Sequence, residues 1–150
     1  MIDSGAVTEA FAAAADEAGA RGVRTLASAT ARLDLAGDPS AVAFGSRRAD
    51  DSWFCWEQAD RDGFAIAGLG SAYGIASRGP DRFSDVAADW ERLLRNRVAA
   101  EPAALPAGAG PLLAGGFSFA PDGGQAPEWS SFAPALMTLP ELALWRRGGD

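Results

Sequence analysis

Trp53-Phe54-Cys55-Trp56-Glu57-Gln58, then Ala59-Asp60-Arg61-Asp62-Gly63, then Phe64-Ala65-Ile66-Ala67-Gly68-Leu69-Gly70, is the stretch that decides the fold class. Two β-prone runs flank a polar loop closed by glycine, the pattern of an antiparallel hairpin. The second run continues through Gly68, Gly70 and Gly74, where missing side chains let another backbone approach or let a sheet bend. Residues 23–35 alternate apolar and polar positions and predict a further, half-buried strand. Residues 112–119, interrupted by Gly115-Gly116, read as extended, as do residues 135–139 and 142–145, which Pro140 separates.

Working outward, residues 80–98 carry Phe83, Val86, Ala87, Trp90, Leu93, Leu94 and Val98 at helical spacing, which predicts a helix with one apolar stripe. Gly79-Pro80-Asp81 opens it, and Arg92, Arg95 and Arg97 suit the negative end of its dipole. Residues 6–18 are alanine-rich and predict a short helix capped at Gly19. Gly37-Asp38-Pro39-Ser40 and residues 121–124 read as turns, and residues 100–110 as a Pro/Ala/Gly-rich loop. The order is helix, strands, long helix, strands: an α+β fold of mostly antiparallel strands rather than repeated βαβ units. The organisation expected is a leading helix over residues 1–22 and a strand–helix–strand body over 23–150. Residues 142–147 read as a strand followed at once by turn residues Gly148-Gly149-Asp150. A turn ordinarily delivers the chain to a partner strand, so the expectation is a truncated sheet with an open edge.

Composition closes many routes to chemistry. The chain has 150 residues, no histidine and no lysine; all 13 cations are arginine. Histidine-based triads and zinc sites are therefore excluded, and so are a lysine Schiff base and a lysine general base. The net charge of −7 disfavours nucleic acid and anionic lipid, both of which draw affinity from clustered cations. No apolar stretch approaches the ~20 residues that span a bilayer, and the first residues lack a secretory pattern, so a cytoplasmic address is expected. The single cysteine, Cys55, set between Phe54 and Trp56, reads as a buried structural thiol.

The hairpin sequence resembles the "F-x-W-E … D-R-x-G-F-x-x-x-G-x-G" region of isochorismate synthases, within the chorismate-binding enzyme family. Gly115-Gly116-Phe117-Ser118-Phe119 resembles that group's glycine–aromatic strand, and Trp129-Ser130-Ser131-Phe132 its tryptophan–phenylalanine spacer. Leu139-Pro140-Glu141-Leu142-Ala143-Leu144-Trp145-Arg146-Arg147-Gly148-Gly149 is similar to its "L-P-x-L-x-L-x-R-x-G-G" strand and turn. Cys55 and Ala59 depart from the pattern, where an aromatic and a proline are expected. The resemblance runs over residues 23–150 and implies a two-sheet α+β fold to which both halves of a longer chain contribute strands. It implies conversion of chorismate to isochorismate, with Mg²⁺ on the substrate carboxylate, in menaquinone or siderophore synthesis. It assigns water activation to a lysine, proton donation to a glutamate and Mg²⁺ to further glutamates, all in a carboxy-terminal region. No catalytic, cofactor-binding or metal residue carries over to this chain, which is expected to be inactive alone.

The anthranilate and aminodeoxychorismate synthases are sister candidates, and a stand-alone small-ligand-binding module is the candidate from another class. Gly68-x-Gly70-x-x-x-Gly74 has the wrong spacing for a dinucleotide loop and reads as a bent strand. Glu57, Asp60 and Asp62 read as solvated hairpin acids rather than a calcium loop. Glu57 itself is expected to bond a backbone group or an arginine within the fold. Trp53, Phe54, Trp56, Phe64, Trp90, Phe117 and Phe119 are expected in the core.

Overall fold

The computed structural model describes residues 4–33, 37–101, 105, 108–124 and 126–148. The chain divides into two compact units, Met1–Leu35 with Ala87–Pro111, and Ala36–Val86 with Leu112–Asp150.

In the first unit, helix α1 (Ser4–Arg21) packs against β1 (Leu26–Ala29) and β5 (Arg97–Ala100). These strands pair in parallel, Leu26 opposite Arg97 and Ala29 opposite Ala100. Ala10 and Ala14, one turn apart, bury the inner stripe of α1. The helix runs through Gly19, where a cap was expected. It ends at Gly22, whose φ of +62° is the left-handed conformation that closes a helix, with its N–H donating to Ala18 O at 2.8 Å. Glu17 and Arg21 pair across that last turn at 3.0 Å. The strand expected over 23–35 is confined to four residues, because β5 offers partners over that length only; residues 34–35 of the expected strand lie outside the described residues. Arg97 donates from Nε to Ser28 Oγ at 2.7 Å and pairs with Glu101.

The second unit holds helix α2 (Pro39–Ser46), β2 (Trp53–Gln58), β3 (Phe64–Leu69), β4 (Tyr73–Ser77), β6 (Ala114–Phe117), β7 (Ala135–Leu139) and β8 (Leu142–Arg146). Helix α3 (Arg82–Arg95) begins in it. The antiparallel sheets are β2-β3-β8 and β4-β7-β6. The predicted hairpin forms with Trp53 opposite Leu69 and Gln58 opposite Phe64. Asp62 and Gly63 hold its turn at φ of 52° and 61°, which glycine adopts freely and aspartate tolerates.

The two sheets share a corner. Leu69 faces Leu142 in one ladder and Tyr73 faces Leu139 in the next. Gly70, Ser71 and Ala72 therefore oppose only Pro140 and Glu141, and the extra residue is a β-bulge. Hydrogen bonds continue through it: Glu141 N–H donates to Leu69 O at 3.0 Å and Ala72 N–H to Leu139 O at 2.9 Å. Gly70 takes φ of +73°, and a Cβ there would sit 2.8 Å from Glu141 Cδ. Pro140, with no N–H to contribute, is buried at this break.

The long helix is shorter than its periodicity predicts. It ends at Arg95, and Val98 belongs to β5 rather than to the apolar stripe. Pairing with β1 captures residues that helical spacing alone would have kept. Near its start, Arg82 is 5% exposed. Its Nη1 donates to Gly79 O at 3.1 Å, and Nη2 to Ser118 O at 3.0 Å and Phe119 O at 3.2 Å. Those bonds tie the helix to the chain leaving β6, while Phe83 stacks on Phe117 at 4.4 Å between ring centroids.

One face of β4-β7-β6 is buried through Ile75, Ala135 and Leu139. The other carries Gly74, Ala76, Ala114, Gly116, Leu136 and Thr138, with no charged residue among them. Gly74, Ala76, Gly116 and Leu136 are exposed there. A solvated antiparallel face ordinarily alternates to polar residues; this one does not.

The expected aromatic core is corrected. Trp53, Trp56 and Phe119 are 40%, 63% and 105% exposed, and Phe54, Phe64, Trp90 and Phe117 are half-buried. Among the described residues, the buried apolar side chains are Ala10, Ala14, Ala43, Ala65, Ala67, Ile75, Val86, Leu93, Ala135 and Leu139. Cys55, on the edge strand β2, is exposed rather than buried.

Removing Arg82, itself buried, strips donors from three carbonyls, so Arg82→Ala is expected to cost about 2–4 kcal/mol in urea unfolding, against under ~0.5 kcal/mol for the exposed Arg92→Ala. The glycines of β6 offer a sharper contrast. A Cβ at Gly115 would lie 2.0 Å from Leu136 O, whereas one at Gly116 meets nothing within 4 Å. Gly115→Ala should destabilise by more than ~2 kcal/mol and Gly116→Ala should stabilise by up to ~1 kcal/mol, read from denaturation midpoints.

Candidate functional site

The Gly37-Asp38-Pro39-Ser40 segment, expected as a turn, starts α2. Asp38 is its N-cap: Oδ1 accepts from Ser40 N–H at 2.8 Å and Ala41 N–H at 3.2 Å, and Pro39 fills the first turn, where its missing N–H costs nothing. The capping aspartate and the following proline were the sequence signal for this helix.

Helix α2 lies along the β2-β3-β8 face that carries Ala65 and Ala67. Ala43, Ala65 and Ala67 are all buried, 1%, 0% and 0% exposed, and their small size lets helix and sheet approach closely. The two ends of the helix are fastened differently. At its end, Phe44 meets Trp53 edge-on at 5.1 Å between centroids, and the Arg47 guanidinium lies 4.1 Å from the Phe44 ring centre. Such contacts contribute about 0.5–1.5 kcal/mol each.

At its start, Asp38 Oδ2 accepts from Arg146 Nη2 at 3.3 Å, and Arg146 Nε donates to Gly63 O at 3.2 Å. One arginine on β8 thus joins the helix cap to the hairpin turn. Glu57 is exposed on β2, near the Asp38 carboxyl. The backbone or arginine partner expected for Glu57 is not found among the described residues. Burial opposes ionisation of Asp38, but the Ala41 and Ser40 N–H groups, then Arg146 and Glu57, outweigh it and hold its pKa below the ordinary value. Sequence reading placed Arg146 on a strand and gave Asp38 no role, because their separation of more than a hundred positions is closed only by folding.

The hairpin turn also borders a shallow hollow of about 430 Å³ lined by Asp62, Gly63, Arg147 and Gly148. Gly148 N–H donates to Asp62 O at 2.6 Å, fastening the end of β8 to the turn. Asp60, Asp62 and Arg147 point into solvent, where charges are screened and individual pairs are weak. Among the described residues, no three carboxylate or thiol groups converge as a metal seat, and none of their helices is long and apolar enough to cross a membrane. The polar junction of Asp38, Arg146 and Gly63 joins a helix cap, an ion pair and a carbonyl anchor.

A depressed native pKa stabilises the fold above the unfolded aspartate value of about 3.9 and withdraws that support as pH falls through the native value. Stability is therefore expected to decline on acidification from roughly pH 5 toward pH 2, with a shallower decline in Asp38→Asn, as urea midpoints across that range will show. Ser40 Oγ is buried without a partner, so Ser40→Ala should leave stability unchanged or raise it by up to ~1 kcal/mol.

The chain matches the chorismate binding enzyme family model over residues 11–150. It is 32% identical over 93 residues to the salicylate biosynthesis isochorismate synthase of Pseudomonas aeruginosa, a stretch that covers 62% of this chain and 18% of that protein. No solved structure matches it. The ordered hairpin, glycine–aromatic strand and Leu-Pro strand motifs all lie inside the matched residues, and on that footing the chain belongs to the chorismate-binding enzymes.

Proposed function

We propose that these residues form the amino-terminal structural portion of an isochorismate synthase, contributing scaffold rather than reacting groups to the conversion of chorismate to isochorismate. The observation that carries the reading is the face of Gly74, Ala76, Gly116 and Leu136 in a sheet of this family: exposed, uncharged, and built of small residues around an exposed leucine. Such a face fits a further layer of polypeptide far better than it fits water. In this reading the bent sheet is one part of the two-sheet α+β fold, and a carboxy-terminal region supplies the rest.

The chemistry points the same way. Exchanging a hydroxyl for water beside a carboxylate requires a base to deprotonate the incoming water and an acid to help the departing hydroxyl. The base that the family resemblance assigns is a lysine, and this sequence has none. Mg²⁺, when bound, neutralises carboxylate charge on the substrate. The described acidic residues do not converge to hold it, so its seat in this reading lies on other polypeptide. Menaquinone or siderophore synthesis is the proposed destination of the product; the Pseudomonas relative is named for salicylate biosynthesis.

Incubation of the purified chain with chorismate and Mg²⁺ should yield no isochorismate above a protein-free control by chromatography. Genuine turnover would defeat the proposal. The chain alone should also self-associate with rising concentration in light scattering, and Leu136→Glu, which charges the bare face, should reduce that association. A monomer at every concentration, with one sharp unfolding transition, would count against the scaffold reading.

A further inference from the structure

We draw no further inference here: the strongest candidate, the uncharged β4-β7-β6 face floored by Gly74, Ala76, Gly116 and Leu136, belongs to the scaffold reading already given, and nothing in the structure shows what covers it.

Discussion

The larger unit depends on the bulged corner where β3 passes into β4 while β7 passes into β8. Side chains alternate strictly along a strand, so a one-residue slip in register turns every side chain to the opposite face. On one side of the corner, odd-numbered residues of β3 pair with even-numbered residues of β8, as Ala67 does with Leu144. On the other side, odd pairs with odd, as Ile75 does with Met137. The inserted residue between Gly70 and Ala72 makes that change of phase possible. It leaves Ala65 and Ala67 under α2 while Ile75 and Leu139 are buried in the next sheet. A regular ladder through the same residues would expose one of those sets.

The buried positions are unusual for so aromatic a sequence. Among the described residues, helix α1 in one unit and helix α2 with strand β3 in the other bury five apolar side chains, and all five are alanine. Small side chains bring layers close and gain from dense packing, yet each removes little apolar area from water, roughly 25 cal/mol per Å² buried. The large side chains stand at margins instead: Trp53 and Trp56 on an edge strand, Phe119, Trp129 and Phe132 in the connection from β6 to β7. Fastening falls to directional contacts. Arg82 gathers three carbonyls, Arg146 joins a helix cap to a hairpin turn, and Phe44 and Trp53 meet edge to face. These contacts position helices and strands against one another within their own units.

Much of this was legible in residue order. The hairpin and the strands around Pro140 appear where their β-prone runs lie, because glycine, proline and aspartate punctuate the chain locally. The amphipathic helix is present within its predicted span, since its stripe has to bury Val86 and Leu93. Helix α2 was missed although Asp38-Pro39 announces it; the same residues also suit a turn, and eight residues give little periodicity to separate the two readings.

By itself, the sequence determined the α+β class, the hairpin and the long helix, the family and the lack of lysine and histidine, all properties carried by residue identity or short spacing. Tertiary structure alone decided the phase change at Gly70, the parallel capture of Val98 by β1, the exposure of Cys55 and the partnership of Asp38 with Arg146. Each of those depends on which distant backbone or side chain arrives opposite a residue. Local propensity cannot encode that, because pairing energy exists only after the loops between partners have closed.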